Sequence, residues 1–340
     1  MKTAPGFWWT EGVSLPALLL SPLGRLYGMV AGRRMLRRPK YRSRLPVICV
    51  GNFVVGGTGK TPFAIELAYR LKEDGHRPGF LLRGYGGRAK EPLLVDAGTH
   101  VAAGVGDEAL LLARHGPTVV AADRPSGARL AERQPIDVLI MDDGFQNPAL
   151  SRDLSLVLVD CATGFGNGRC LPAGPLRAPP AVQILKADCL ILVGEGGAAE
   201  EAVHLAGRKG LPILHAHLRP QPEEDLAELK LFAFAGIGRP QKFFDSLKAL
   251  GCDVRKTREF PDHHLYTEAD VKALLTEAEA DGLSLVTTSK DMVRLETAEG
   301  ELFHWISSST TVLEVRMEID DEDRLAGLIK EKLRRRVLTG

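Results

Sequence analysis

The 340-residue sequence has few cysteines, no long apolar run and little net charge, and each shortage excludes a class of protein. A net charge of +1 with 44% hydrophobic residues is a globular composition, which excludes intrinsic disorder. The cysteines are odd in number, form no CxxC pair and lie at Cys49, Cys161, Cys170, Cys189 and Cys252. A zinc ribbon or disulfide scaffold is therefore not expected, whereas buried thiols in a reducing compartment are.

From Pro46 onward, short apolar runs alternate with stretches of helical periodicity, without an internal repeat or a low-complexity tract. The apolar runs predict buried parallel strands at 47–50, 119–122, 138–141, 156–159 and 190–193. The periodic stretches predict helices at 62–73, 108–115 and 127–134. This βαβ alternation predicts an α/β fold with a doubly wound, mostly parallel sheet.

A polar, proline-rich stretch at 219–225 predicts a joint between two domains. We expect a first domain over 46–218, a linker over 219–229 and a second, smaller α/β domain over 230–318. The second domain would have strands at 231–235, 253–260 and 285–288, and helices near 241–250 and from 268. The remainder, 319–340, predicts a C-terminal helix, because its acidic residues precede its basic ones as the helix dipole favours.

The N-terminal segment, residues 1–45, carries a net charge of +8, and the rest of the chain carries −7. Its single acid is Glu11, and its bases are Lys2, Arg25, Arg33, Arg34, Arg37, Arg38, Lys40, Arg42 and Arg44. This asymmetry indicates a polyanionic partner, either nucleic acid or an anionic membrane.

The apolar residues of the same segment favour the membrane over nucleic acid. An uncharged run of 13 residues over 12–24 is too short to span a bilayer, which takes about 20 residues. A secretory signal fits poorly, because no small-residue cleavage site precedes the arginines. We expect an amphipathic helix at the membrane interface, with Trp8, Trp9 and Tyr27 among the headgroups. The alternative is an ordinary helix packed on the body, followed by a solvated basic tail.

A glycine-rich turn follows the first predicted strand and precedes a helix. Its residues are Gly56, Gly57, Thr58, Gly59, Lys60, Thr61 and Pro62. Glycines let backbone N–H groups face a polyphosphate, the lysine would reach the β and γ phosphates of a nucleotide, and Thr61 would ligate Mg²⁺. The pattern departs from the usual P-loop at Val54, where an early glycine is standard. The alternative is a plain strand-to-helix turn with a surface lysine.

Two adjacent acids, Asp142 and Asp143, end the strand predicted at 138–141. Acids at such a strand end hold Mg²⁺ in P-loop enzymes, and a divalent cation would relieve the repulsion between them. Asp142 is the safer assignment of the two. A solvated Asp-Asp turn is the alternative.

Taken in order, these features and further motifs resemble the tetraacyldisaccharide 4′-kinase family of lipid A biosynthesis over nearly the whole chain. The further motifs are Leu82–Gly87, Gly106–Glu108, Asp123–Arg124, Asp142–Gln146, Phe165–Gly168, Leu171–Arg177, Ala235–Gly238, Pro261–His264 and Ser289–Asp291. The resemblance implies ATP and Mg²⁺ as cofactors and transfer of the γ-phosphoryl group to the 4′-hydroxyl of tetraacyldisaccharide 1-phosphate. It also implies a monomeric, peripheral enzyme on the cytoplasmic face of a Gram-negative inner membrane.

The resemblance also assigns roles to individual residues. Asp107 would assist deprotonation of the sugar hydroxyl, His263 would pair with it, and Lys60 would join them in catalysis; His264 carries less weight. The motif residues expected near the active-site cleft are Arg83, Tyr85, Glu108, Arg124, Gln146 and Arg177. One departure is Ala178, where the family usually has Glu. From the residues alone, Asp107 could instead be a helix N-cap and His263 a loop histidine.

Two other functions use the same residues. A membrane-associated P-loop ATPase acting as a switch or partitioning protein would need no sugar acceptor. A soluble small-molecule kinase would need no membrane contact. A phosphorylated lipid product would distinguish the lipid kinase from the switch.

Overall fold

The computed structural model describes residues 4–10, 12, 14–221 and 226–339, with side chains up to residue 336. Lys2, Glu11 and Val13 of the basic segment lie outside the described residues. So do residues 222–225 of the predicted linker.

Twelve strands and twelve α-helices make up the described chain, together with 3₁₀ turns at Gly6–Trp8 and Leu226–Glu228. The strands are β1 Val47–Asn52, β2 Pro78–Leu82, β3 Leu93–Leu94, β4 Thr118–Val120, β5 Val138–Asp142, β6 Leu154–Asp160, β7 Cys189–Val193, β8 Ile213–Gln221, β9 Lys230–Ala235, β10 Asp253–Glu259, β11 Ser284–Thr288 and β12 Thr310–Ile319. The helices are α1 Leu15–Met35, α2 Lys60–Glu73, α3 Ala102–Val105, α4 Asp107–Ala113, α5 Arg124–Ala131, α6 Pro180–Ile184, α7 Glu200–Lys209, α8 Pro240–Ala249, α9 Glu268–Asp281, α10 Ser289–Glu296, α11 Glu301–Ser309 and α12 Glu322–Thr339.

All twelve strands belong to one sheet, in the order β10-β9-β11-β12-β8-β7-β6-β1-β5-β2-β4-β3. Only the β12–β8 and β3–β4 pairs among these described strands are antiparallel. Strand β1 lies between β5 and β6 and is parallel to both, so the segments that follow β1 and β5 emerge side by side. Since ligands of open α/β sheets bind beyond the carboxyl ends of the strands, this edge is where a site is expected.

Helices cover both faces of the sheet, which confirms the predicted doubly wound α/β fold. On one face α2, α4 and α12 bury Phe63, Leu67, Leu110 and Ile329 against the sheet. The other face has a second core, to which α5 and α7 contribute. Strands β1 and β5–β7 are buried at every position, because both of their faces are covered.

The predicted second α/β unit forms four strands, β9 to β12, at one end of the same sheet. These strands pair in parallel with one another, and β12 is antiparallel to β8. Its strands β9 and β11 bury their two faces in separate cores, one under α8 and the other under α9 to α11. Strand β12 then leads the chain back to the first unit. Its residues Thr310–Leu313 pair with β11, and Glu314–Ile319 pair with β8. The proposed linker begins within β8, so the two units share a sheet where the sequence predicted a polar joint.

The N-terminal helix α1 has its small residues toward the body and its large apolar residues toward solvent. Its buried face is formed by Ala17, Ser21, Gly24, Gly28, Gly32 and Met35. A Cβ atom at Gly24 or Gly28 would lie 2.8 Å from Cys170, so only glycine permits this approach. No helix within the described residues is long and apolar enough to cross a membrane.

The outward face of α1 is mostly apolar, unlike the polar outer face of a helix that packs on a soluble protein. It exposes Leu15, Leu18, Leu19, Leu23, Leu26, Tyr27, Met29 and Val30. Trp8, one of the two tryptophans expected among lipid headgroups, is instead part of the body, and Trp9 is partly buried against the core. Trp8 is buried, and its Nε1 donates to the carbonyl of Pro172 at 3.1 Å.

Candidate active site

The glycine-rich turn leads from β1 directly into α2, as the sequence predicts. Gly59 caps the helix with a left-handed φ of 81°, and a Cβ atom there would meet the Cε atom of Met317 at 2.8 Å. Gly56 and Gly57 are exposed, so their backbone is open to a ligand. Pro62 lies in the first turn of α2, where its missing N–H costs no hydrogen bond. The turn therefore presents a helix N-terminus and free backbone to an anion.

Asn52, the last residue of β1, holds the turn from inside. Its Nδ2 atom donates to the carbonyl of Gly56 at 3.3 Å and to Oγ1 of Thr58 at 3.2 Å. The side chain is fully buried, and its Oδ1 atom has no hydrogen-bond partner among the described residues. Asn52 thus holds the turn at Gly56 and at Thr58, on either side of Gly57.

Three further side chains bind the carbonyls of residues 52, 53 and 54 in turn. Gln146 Nε2 donates to the first at 2.7 Å, Gln183 Nε2 to the second at 3.1 Å and Arg177 Nε to the third at 3.1 Å. Gln146 also donates to Gln183 at 2.9 Å and accepts from Arg177 Nη1 at 3.4 Å, which links the three side chains. Val54, where a P-loop usually has glycine, is buried in the core, so the start of the turn is held by packing and these donors.

The two acids after β5 lie beside the start of α2. Thr61 Oγ1 donates to Asp142 Oδ2 at 3.1 Å, while Asp142 Oδ1 is buried without a hydrogen-bond partner among the described residues. Asp143 has a left-handed φ of 50°, and its side chain has different partners from that of Asp142. Its Oδ1 atom lies 3.7 Å from Lys60 Nζ and accepts a hydrogen bond from Arg177 Nη1 at 2.8 Å.

The neighbouring acids have opposite electrostatic environments. Burial and the charges of Glu108 and Asp143 outweigh the opposing effects of Lys60 and Thr61 and raise the pKa of Asp142 to about 7. Burial also acts to raise the pKa of Asp143, but Lys60 and Arg177 outweigh it and hold the value at about 2. Asp143 is therefore paired with two protein cations, whereas Asp142 forms no ion pair with any of the described residues and is only partly compensated by Lys60.

The carboxylate and hydroxyl oxygens around Asp142 suit a hard divalent cation. Within the part of the chain that the structure describes, no group of three or more His, Cys, Asp or Glu side chains could hold a metal ion. Mg²⁺ commonly takes only one or two carboxylates and completes its shell with water and substrate phosphates. The orphaned Oδ1 of Asp142, next to Thr61, fits such a partial site.

Asp107 and His263 meet, although they are 156 positions apart in the chain. His263 Nδ1 lies 3.2 Å from Asp107 Oδ2, and the ring centroids of His263 and Tyr85 are 5.5 Å apart. Asp107 is the first residue of α4 and is 4% exposed, and the turn carrying His263 follows β10. This hydrogen bond raises the pKa of His263 above its ordinary value. A carboxylate that accepts from Nδ1–H leaves Nε2 as the basic nitrogen.

Two cations from α10 neutralise the acids at the start of α4. Arg294 donates to Asp107 Oδ2 through Nε at 3.1 Å and through Nη2. Lys290 Nζ donates to Glu108 Oε1 at 2.8 Å. Burial alone would raise the pKa of Asp107, but the hydrogen bond from His263 and the charges of Lys290 and Arg294 hold it well below its usual range. Asp107 is therefore an ionised partner of His263 and a very weak base itself.

The remaining predicted cleft residues have different surroundings. Gln146 and Arg177 donate to backbone carbonyls at the start of the glycine-rich turn, and the charge of Glu108 raises the pKa of Asp142. Arg124 is 3% exposed, donates to the carbonyl of Ala121 at 2.6 Å and keeps Nε without a hydrogen-bond partner among the described residues. Arg83 is exposed and close enough to lower the pKa of Arg124. His264 Nε2 donates to Asp270 Oδ2 at 3.0 Å and is not the histidine that pairs with Asp107.

Comparison with known proteins places this geometry in a family. The model of the family described as tetraacyldisaccharide-1-P 4′-kinase matches residues 16–334. The chain belongs to the tetraacyldisaccharide 4′-kinases. It is therefore an enzyme, a kinase.

Relatives of known name match almost end to end. The tetraacyldisaccharide 4′-kinase of Methylobacterium nodulans is 51% identical over 332 residues, covering 97% of this chain and 95% of the relative. That of Bradyrhizobium diazoefficiens is 45% identical over 332 residues, covering 97% and 96%. The solved structure of "apo" form LpxK from Aquifex aeolicus in complex with ATP is 30% identical, with a TM-score of 0.74, and covers 93% of this chain and 99% of that chain.

The sequence did not single out three polar residues that the structure places in this candidate site. Arg294 follows the Ser289–Asp291 motif within α10, Asn52 ends β1, and Gln183 is the one amide in the short helix α6. A polar residue between apolar neighbours is a usable signal for the last two. Arg294 also lies between apolar neighbours, Val293 and Leu295, but an arginine on a helix is most often solvated, so the sequence does not point to a buried role for it. Ala178, where the family usually has Glu, is fully buried, and its carbonyl accepts from Gln183 Nε2 at 2.6 Å.

Proposed function

We propose that this kinase transfers the γ-phosphoryl group of ATP to the 4′-hydroxyl of tetraacyldisaccharide 1-phosphate, a step of lipid A biosynthesis. The observation that carries the proposal is the Asp107–His263 pair, set beside a phosphate-binding turn. The names of the relatives give the substrate class. ATP as the donor is supported by the ATP complex of the structural relative.

The turn and its supports would bind the triphosphate. The N–H groups of Gly56 to Gly59 and the N-terminus of α2 offer positive potential, and Lys60 supplies a cation beside them. Lys60 is held 3.7 Å from Asp143, so this acid would keep its ammonium group near the phosphates. Phosphoryl transfer depends on positioning and charge neutralisation more than on covalent chemistry, which is what these residues provide.

Thr61 and Asp142 would hold Mg²⁺, with Asp143 beside them. When bound, the ion would neutralise charge on the phosphates. The hydroxyl of Thr61 orients the Asp142 carboxylate, and Arg177 and Lys60 fix Asp143 at the edge of the site.

His263 would accept the proton of the acceptor hydroxyl. As the sugar oxygen bonds to the γ-phosphorus and the bond to ADP breaks, the hydroxyl proton moves to Nε2. Asp107 stabilises the imidazolium that forms and holds Nδ1–H in place. Nε2 lies 3.8 Å from Asp262, outside hydrogen-bond range, and so can face a substrate hydroxyl. All of these groups come from one chain, so the proposed reaction requires no second subunit.

The N-terminal helix would hold the enzyme on the cytoplasmic face of the inner membrane as a peripheral protein. Its outward face exposes large apolar side chains, among them Leu19, which is 71% exposed, and Leu15, which is 68% exposed. An exposed cluster of basic residues follows at the end of the helix, namely Arg33, Arg34, Arg37, Arg38, Lys40, Arg42 and Arg44. An apolar face beside basic residues suits an anionic bilayer surface, which is where a tetraacylated substrate would reside.

A transfer assay tests the function. Purified enzyme is incubated with γ-³²P-ATP, Mg²⁺ and tetraacyldisaccharide 1-phosphate in mixed micelles, and lipids are separated by thin-layer chromatography. We expect label in a lipid with one more phosphate. An acceptor already phosphorylated at the 4′ position is the matched control and should take up no label. Hydrolysis of ATP without labelled lipid would support the ATPase switch instead.

A further inference from the structure

We infer that Arg294 is the positioning residue of this kinase, because its guanidinium group holds both members of the Asp107–His263 pair. The inference rests on the proposed function, since it assigns Arg294 a role in the proton transfer described there. Arg294 lies on α10, in the second unit of the sheet, and its side chain is 2% exposed.

On one side, Arg294 fixes the carboxylate. Its Nε and Nη2 atoms both bind Oδ2 of Asp107, the oxygen that also faces His263 Nδ1. The other oxygen, Oδ1, accepts from the backbone N–H of Glu108 at 3.0 Å. With Oδ1 and Oδ2 both engaged, the carboxylate cannot rotate away from His263 without losing these hydrogen bonds.

On the other side, Arg294 fixes the backbone that carries the histidine. Its Nη1 atom donates to the carbonyl of Gly236 at 2.8 Å, and the same carbonyl accepts from the backbone N–H of His263 at 3.1 Å. His263 has a left-handed φ of 59°, which is uncommon for a residue other than glycine, and this hydrogen bond to Gly236 helps to hold it. A Cβ atom at Gly236 would lie 3.0 Å from Asp291 Oδ1 and 3.3 Å from Arg294 Nη1. The glycine allows this close contact.

Arg294 is itself held by a buried acid one helical turn earlier. Asp291 Oδ1 accepts from Arg294 Nη1 at 2.8 Å, from Tyr266 Oη at 2.8 Å and from the N–H of Gly236 at 2.9 Å. Its Oδ2 accepts from Thr288 Oγ1 at 2.6 Å. All the polar ends of Arg294 are therefore used to hold the pair or to be held in place.

Several charges act on His263 besides Arg294. Asp107 faces it from α4, Asp262 lies next to it in the same turn, and Lys290 acts from α10. The ring of Tyr85 also packs near it. Asp107 and Asp262 favour the imidazolium, whereas Lys290 opposes it. Removing the positive charge of Arg294 would leave Asp107 less compensated, and the imidazolium would become more stable.

The test is the pH profile of kcat for Arg294→Gln and Arg294→Lys in the lipid transfer assay. The Gln variant should lose about tenfold to a hundredfold in kcat, as loss of an orienting partner typically does. Its acid limb should move up by about one pH unit, because the histidine must be neutral to accept a proton. The KM for ATP should change less than about twofold, since the contacts of Arg294 are with Asp107, Asp291 and Gly236.

The Lys variant separates charge from geometry and decides the case if the Gln variant does not fold. It keeps the charge, so its acid limb should stay near that of the wild type. A single ammonium group cannot reach both Asp107 and Gly236, so kcat should still fall about tenfold. Arg258→Gln is the matched control: this arginine pairs with Glu277 on the same unit and should leave the profile unchanged.

Two outcomes separate the claims. If the wild type labels no lipid, the proposed function fails. If it labels lipid, while both Arg294 variants keep kcat per folded molecule and the acid limb of the wild type, Arg294 is only structural and the inference is overturned. Thermal unfolding supplies the folded fraction for this comparison.

Discussion

The hydroxyl of Thr61 donates a hydrogen bond to one oxygen of Asp142 and leaves the other oxygen, Oδ1, buried without a hydrogen-bond partner among the described residues. An ionised carboxylate in that position lacks compensation, which is why its pKa rises to about 7. Its neighbour Asp143 has two cationic partners and a pKa of about 2. The pair is therefore asymmetric, and the acid that lacks a cation is the one beside Thr61.

This asymmetry predicts an unusual effect of Asp142→Asn on metal-free protein. The folded pKa of Asp142, about 7, lies above the unfolded value of about 4. The folded state thus binds the extra proton, and the free energy of unfolding falls as pH rises from about 4 to about 7. Asn removes this penalty, so urea unfolding at pH 8 without Mg²⁺ should show a variant more stable than wild type by up to a few kcal/mol.

Asp160→Asn is the matched control, because this acid also ends a buried strand. Lys242 and Arg239 outweigh the effect of burial and lower its pKa, so its loss should destabilise the protein at the same pH. In the transfer assay, Asp142→Asn should need far more Mg²⁺ than wild type. Equal stability changes in the two variants would contradict the raised pKa of Asp142. A normal Mg²⁺ titration for Asp142→Asn would contradict the metal assignment.

Lys60→Ala should nearly abolish transfer, because the γ-phosphoryl group loses its fixed cation. A contact of this kind contributes about 3 kcal/mol to the transition state, or more than a hundredfold in kcat. Lys72→Ala is the control on the same helix, since Lys72 is exposed and donates to the carbonyl of His115. A Lys60→Ala variant that keeps more than about a tenth of the wild-type rate would rule out this role.

Exchanging the outward leucines of α1 should reduce membrane binding without unfolding the helix. We expect Leu15→Gln, Leu19→Gln and Leu26→Gln together to lower partitioning onto anionic vesicles, because these side chains are exposed and apolar. High salt should weaken wild-type binding only in part, since it screens the arginines but not apolar insertion. Leu185→Gln with Leu265→Gln is the control, since both leucines are exposed elsewhere. Equal partitioning of the two variants would place the membrane contact on another surface.

Most of the sheet could be predicted from the sequence, because buried parallel strands are continuous apolar runs. Strand β2 was not predicted, since it begins with Pro78 and Gly79, which usually mark a turn. Strand β12 was also missed: its first part pairs with β11 and its second with β8, so its buried positions do not alternate regularly. That crossing strand joins the strands of the two predicted units into one sheet.

The site residues that belong to a local sequence motif could be predicted. Those that the fold brings together from distant parts of the chain could not be predicted from the residues alone. The turn at Gly56–Thr61 and the acids after β5 are local patterns with a physical reason. The contact of Asp107 with His263 followed from the family resemblance, because nothing in the spacing of two residues 156 positions apart fixes their distance. Arg294 and Gln183 each lie between apolar neighbours, but their roles are set by contacts through which they hold other residues in place, and the sequence does not give those contacts.

The most direct test of the account is a double-mutant cycle on Asp107 and His263 in the lipid transfer assay. The account predicts that Asp107→Asn and His263→Gln each lower kcat by about a hundredfold or more, since the two residues form one proton acceptor. The double variant should then be little worse than the poorer single variant, and the acid limb of the pH profile should be lost in all three. Multiplicative losses with an unchanged acid limb would contradict the account.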